Sequence, residues 1–127
     1  MRVDPIGNIF GLLELAGPAA PWLLTGSHID SQPNGGRFDG TYGVVASVIA
    51  AIDLRERLAS SGRRPAMNLA VAAWTNEEGA RFQPSVLGSS AYVGAIPLDW
   101  ALARTDRDGV SVAAALDGIG FRGIDAP

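Results

Sequence analysis

The 127 residues include no cysteine, no lysine and one histidine. Without cysteine there is no disulfide framework, no thiolate metal cage and no thiol nucleophile. Without lysine a P-loop cannot be completed, whatever the glycine content of a loop. All ten basic side chains are arginines, they form no cluster, and thirteen carboxylates leave a net charge of −3. That balance argues against nucleic acid as the main partner. Long apolar runs are also missing. The strongest, Val44 to Ile52, is far short of the roughly 20 residues that cross a bilayer, so no membrane span is expected. The start, Met1-Arg2-Val3-Asp4-Pro5, has no apolar stretch of the signal-peptide kind, and a cytoplasmic location is expected. The single histidine excludes a metal site built mainly of imidazoles within these residues.

What is present suits a packed domain, or a piece of a larger one: 47% of residues are hydrophobic and the mean hydropathy is +0.17. Arg2 to Leu13 reads as two short strands around the turn formers Asp4-Pro5 and Gly7-Asn8. Trp22 to Thr25 reads as a buried strand, and Gly26 to Tyr42 as a loop rich in glycine. From Gly43 to about Ala59, Val44, Val45, Val48, Ile49, Ile52 and Leu58 recur at helical spacing. They predict a mostly buried helix closed by Ser60-Ser61-Gly62, with Gly62 as a left-handed cap. Met67 to Trp74 predicts a central strand and Thr75 to Pro84 a loop. Short helices are expected over Ser89–Ala95, Pro97–Thr105 and Val110–Leu116. The alternation points to an α/β fold with a mixed, largely parallel sheet flanked by helices.

Two loops follow the two best strands, and both are acidic. Loops at the carboxyl ends of strands are where open α/β sheets bind ligands. In Gly26-Ser27-His28-Ile29-Asp30, residues two apart share a face of extended backbone. The Asp30 carboxylate is then expected to accept one imidazole N–H, leaving the other nitrogen of His28 as a ligand. Glycines around Asp39 let the chain fold back, and a carboxylate with two oxygens can bridge two cations. The second loop, Thr75-Asn76-Glu77-Glu78-Gly79, holds two of the four glutamates. One can bind a metal while the other stays free as a base. His-x-Asp alone is common, a Glu-Glu pair is usually a solvated turn, and Trp22, Trp74 and Trp100 are ordinary packing residues by default. The combination of both loops is more specific than either.

The stretch Gly26-Ser27-His28-Ile29-Asp30-Ser31-Gln32-Pro33-Asn34-Gly35-Gly36-Arg37-Phe38-Asp39-Gly40 and the stretch Trp74-Thr75-Asn76-Glu77-Glu78-Gly79-Ala80-Arg81-Phe82 together resemble the hydantoinase/carbamoylase family of amidohydrolases. That family includes N-carbamoyl-L-amino-acid hydrolases, allantoate amidohydrolases and β-ureidopropionases, within the dinuclear zinc aminoacylase and carboxypeptidase superfamily. Gly7-Asn8-Ile9-Phe10-Gly11, Leu87-Gly88-Ser89 and the segments from Leu102 to Ser111 extend the resemblance over nearly the whole chain. It implies His28 as ligand of one metal, Asp39 as bridging ligand, Glu78 as ligand of the other metal, Glu77 as general base, and Asp30 as the partner of His28. It implies two divalent ions (zinc, or manganese, cobalt or nickel), hydrolysis of a linear amide or ureido C–N bond in a small substrate, and a homodimer formed through an inserted domain.

Members of that family are much longer and supply two more ligand histidines downstream. The chain is therefore expected to be an N-terminal part of a catalytic domain. It would lack the inserted dimerisation domain and the C-terminal part, end at Gly123-Ile124-Asp125-Ala126-Pro127 before the next ligand, and be inactive alone. The other readings are a non-catalytic remnant of such an enzyme, a metallopeptidase or aminoacylase of the same superfamily, and a small binding module using the glycine-rich loop.

Overall fold

In the computed structural model, which describes residues 1–124, the strands are Arg2–Val3 (β1), Ile9–Leu13 (β2), Trp22–His28 (β3) and Asn68–Trp74 (β4). They form one mixed sheet in the order β1-β2-β4-β3. Asp125, Ala126 and Pro127 of the expected chain end lie outside the described residues.

β4 is the central strand, as its unbroken apolar run predicts; its residues from Asn68 to Ala72 are buried. It pairs parallel with β3, and the crossover between them is the long helix Thr41–Ser61 (α1). On its other side β4 pairs antiparallel with β2, and β2 pairs antiparallel with β1. The sheet is mixed as expected, but only one of its three pairings is parallel. A parallel pair needs a long crossover, and only the segment between β3 and β4 supplies one. The turn from Asp4 to Asn8 is too short for anything but a hairpin.

That turn is tied by its own side chains. Asp4 Oδ1 accepts the backbone N–H groups of Ile6 and Asn8 at 3.2 and 2.8 Å, and Asp4 Oδ2 accepts from Asn8 Nδ2 at 2.8 Å. Both residues are buried. Burial pushes the Asp4 carboxyl above its usual range, against hydrogen bonds from Asn8, Ile6 and Gly7 that pull it down.

α1 ends as expected at Gly62, a left-handed cap with φ 64°. The expectation of a mostly buried helix is not met. Ala51 is the residue of α1 that is fully buried, while Val45 and Ile49 are 51% and 61% exposed. The apolar period is present, but the helix meets the sheet along a different stripe. Gly43, Val44, Ser47 and Ala51 face inward, and the Ser47 hydroxyl lies 3.2 Å from that of Thr25 on β3. Small side chains allow close approach, and Val45 and Ile49 point away from the sheet. β3 also departs from the buried strand expected of Trp22 to Thr25. It lies at one edge of the sheet, with Trp22 and Leu23 exposed.

The three short helices fall close to the expected places, at Leu87–Tyr92 (α2), Leu98–Leu102 (α3) and Val112–Gly118 (α4). Ser111 caps α4, its hydroxyl accepting from the N–H of Ala114 at 3.1 Å. These helices and the turn at Ile6 enclose the larger core cluster, which includes Ile6, Phe82, Leu87, Leu102, Val112 and Leu116. A smaller cluster of Ala51, Leu69 and Val71 lies between α1 and the sheet. Trp74 stacks edge-on to Phe10 at 5.9 Å and tilted to Tyr92 at 5.3 Å, whereas Trp100 lies under Arg104 at 3.9 Å. No described helix is long and apolar enough to cross a membrane.

Candidate metal centre

Because β3 and β4 run parallel with His28 opposite Trp74, both following loops start from the same end of the sheet. His28, the last residue of β3, is buried. The loop after it returns at Gly40, where φ is 69° and a side chain would overlap the His28 ring. Only glycine fits that close approach, and it lets Asp39 come back to the imidazole. Nε2 of His28 lies 3.6 Å from Asp39 Oδ1 and 3.3 Å from Glu77 Oε2. Ligand atoms of His28, Asp39 and Glu78 all lie within 4.8 Å of one another. The five site residues expected from the sequence thus converge on one end of the sheet.

One expected contact is different. The nearest partner of His28 Nδ1 is the backbone carbonyl of Asp30 at 3.0 Å, with the Asp30 carboxylate farther away at 3.6 Å. A carbonyl only accepts, so Nδ1 carries a hydrogen and Nε2 is the ring nitrogen that faces the carboxylates. The Asp30 carboxylate is engaged elsewhere. It accepts the backbone N–H of Glu77 at 3.2 Å on Oδ1 and that of Glu78 at 3.0 Å on Oδ2. Two successive N–H groups are a better match for a two-oxygen acceptor than one ring N–H already satisfied by the main chain.

The Glu77-Glu78 loop is held at both ends by residues that sequence reasoning did not single out. Asn8 Oδ1 accepts from the N–H of Thr75 at 2.9 Å, and Asn8 Nδ2 donates to the carbonyl of Gly88 at 3.0 Å. Asn76, in the left-handed region at φ 51°, donates from Nδ2 to the carbonyls of Phe82 and Pro84 at 2.8 and 3.2 Å. Asparagine tolerates that backbone better than most residues, the one local signal available in the sequence. Gln32 donates to Glu78 Oε2 at 2.9 Å. Nothing in its spacing announces that contact.

The electrostatics call for positive charge. Nε2 of His28 and several carboxylate oxygens face one another, and Glu78 Oε1 is buried with no hydrogen-bond donor. Burial and then the neighbouring Asp39 push the Glu78 carboxyl up; Glu77 and Asp30 add to this and His28 opposes it. Burial disfavours a charge on His28, but the Asp30 carbonyl and the carboxylates of Glu77, Asp30 and Asp39 outweigh it and raise its pKa. A divalent cation satisfies the same demand. One imidazole with carboxylates is a donor set suited to zinc and its first-row neighbours, and the orphaned oxygen of Glu78 fits that use.

The family model of Peptidase family M28 matches residues 8–126. An N-carbamoyl-L-amino-acid amidohydrolase of Rhizobium meliloti is 39% identical over 123 residues, covering 97% of this chain and 29% of that protein. An allantoate amidohydrolase of Bacillus subtilis is 37% identical, covering 94% of this chain and 28% of that protein. Among solved structures, a hydantoinase/carbamoylase family amidase from Burkholderia ambifaria superposes with a TM-score of 0.87 at 48% identity. It covers 99% of this chain and 30% of that one. The chain thus spans under a third of the length of the curated relatives it matches.

Proposed function

Because the chain belongs to Peptidase family M28, we propose that it carries one part of the site of a metal-dependent amidohydrolase acting on linear ureido or amide C–N bonds. The observation that carries this reading is the convergence of His28, Asp39, Glu77 and Glu78 on one end of the sheet. The N-carbamoyl-amino-acid and allantoate amidohydrolases among the relatives support the ureido class over peptides.

In this reading His28 would hold one divalent ion and Glu78 a second, with Asp39 shared between them. Ions held there would polarise a carbonyl group and acidify water. Glu77 is left as the base. It removes a proton from water and returns it to the leaving nitrogen, so that a carbamoyl substrate ends as ammonia, carbon dioxide and the free amine. Asp30 keeps the loops in place. Three ligands shared between two ions give each ion two protein ligands, whereas a catalytic zinc usually has three. The reading therefore assigns these residues to the N-terminal part of a catalytic domain. Further ligands and a dimerising inserted domain lie outside them, and the setting is cytoplasmic. Zinc, manganese, cobalt and nickel all suit the donor set.

The test is hydrolysis of an N-carbamoyl amino acid or allantoate by the protein that carries this segment, followed by ammonia release. The expected result is loss of activity with a chelator and its return with a divalent ion. Glu77→Gln is expected to lower kcat by about a hundredfold or more with the metal content unchanged. An undiminished rate in that variant would sink the assigned mechanism.

A further inference from the structure

We propose that the outer face of α1 is a contact between two copies of this chain, an antiparallel pair of helices related by a two-fold axis. The proposal is independent of the metal centre and of the inserted domain.

Phe38, Tyr42, Val45 and Ile49 follow one another in steps of four, three and four residues. Tyr42 donates its N–H to the Phe38 carbonyl at 3.2 Å, which places Phe38 one turn ahead of the helix on the same side. Steps of three and four hold side chains in one stripe, the spacing with which two helices interlock. All four side chains are open to solvent, Phe38 and Tyr42 most of all at 70%. Val48 and Ile52 belong to another surface, a groove that they form with Leu13 of β2.

Three observations select a second copy as the occupant. A domain of this class places helices on the two faces of its sheet. The face opposite α1 holds an open hollow beside Leu12, Trp22 and Leu24, so a further helical layer belongs there and leaves the outside of α1 bare. From Thr41 to Ile52 the helix carries no charged side chain, so the stripe offers nothing to a charged partner and matches itself. Two aromatic and two branched side chains covered in each copy withdraw on the order of 1,000 Å² from water, counting both copies. That is the lower end of what a specific interface buries, so the association is weak and the dilute chain is a single copy. A two-fold axis crossing α1 between Tyr42 and Val45 sets Tyr42 of each copy against Val45 of the other, and Phe38 against Ile49.

The test is sedimentation equilibrium of the chain from dilute to millimolar concentration. The wild type is expected to pass from monomer to dimer. Ile49→Asp is expected to raise the dissociation constant by about tenfold or more, and the neutral Ile49→Gln to raise it less. Trp22→Ser, on the other face of the sheet, is expected to leave it unchanged. A wild type that stays monomeric at millimolar concentration overturns the proposal. So does a dimer that survives Ile49→Asp, or one that Trp22→Ser disperses, which would place the contact on the open face of the sheet. Should the chain not stay folded by itself, the protein that carries this segment decides the matter. There Ile49→Asp is expected to halve the mass of the assembly at the same concentration, and an unchanged mass overturns the proposal.

Discussion

Two regions around this sheet are built to different standards. On one side Ile6, Phe82, Leu87, Val112 and Leu116 form a core in which Leu87 and Val112 are essentially sealed from solvent. On the other, α1 covers the sheet with a stripe of small residues over Ala51, Leu69 and Val71, and leaves Val45 and Ile49 outward and exposed. The candidate site draws on both. The Glu77-Glu78 loop leads directly into α2, whose first residues are locked into the larger core. His28 and Asp39 belong to β3 and to the loop before α1. The lesson is that the Glu77-Glu78 loop is carried by the better-packed region and the histidine by the more open one. Asp30, joined to both loops, is the bridge between them.

The comparison breaks if the two regions respond alike to truncation. Leu87→Ala, in the sealed cluster, is expected to cost about 2–5 kcal/mol of folding stability. Ile49→Ala, on the outer face of α1, is expected to change it by no more than about 0.5 kcal/mol. Urea unfolding of both variants checks the pair, and equal losses would show that α1 is better covered than its exposure implies.

A second prediction sharpens where the packed region ends. Asn8 is buried and reaches the Asp4 carboxylate, the Gly88 carbonyl and the Thr75 N–H at once. Asn8→Ala strands those groups without partners, at an expected cost of about 1–3 kcal/mol. It should also raise amide exchange at Thr75 and Glu77 more than at any residue of α1. Equal exchange changes in α1 would mean that the two regions unfold as one unit.

The contrast also explains what the sequence made legible. β4 reads directly from the run Asn68 to Trp74, because a strand buried on both faces needs no alternation. The His28 and Glu77-Glu78 loops read from their positions after strands. The orientation of α1 does not. Helical spacing groups Val45, Val48, Ile49 and Ile52, but does not show that the sheet will meet the stripe of Gly43, Val44, Ser47 and Ala51 and leave Val45 and Ile49 outside it. That choice is made by closeness of approach, visible in the short Thr25–Ser47 contact. The partner of the Asp30 carboxylate was hidden for a similar reason. A His-x-Asp spacing suggests a bond between neighbours, whereas the carboxylate bonds to amides nearly fifty residues away that only the parallel pairing of β3 and β4 brings within reach. Gln32 and Asn8 likewise act through contacts that no local pattern encodes.

The smallest expected effect concerns acid stability at the margin of the packed region. Asp106 accepts the backbone N–H groups of Asp108 and Val110 at 3.0 and 2.9 Å and pairs with the Arg81 guanidinium at 2.9 Å. Burial alone would raise its carboxyl, but the hydrogen bonds from Val110, Arg81 and Asp108, with the charge of Arg81, hold it below the usual carboxylate range. A carboxyl lowered in the folded state binds its proton more readily when unfolded. Its stabilising contribution is therefore complete above the unfolded value and lost as pH falls through the folded one. Asp106→Asn should remove that acid limb, so that the unfolding midpoint of the variant falls less steeply than the wild type's from pH 4 downward. Because Arg81 sits on the strand of chain just after the Glu77-Glu78 loop, the same variant tests whether the turn at Asp106 steadies the site. Unchanged zinc affinity at neutral pH, with the acid limb gone, would confine Asp106 to holding the packed region together.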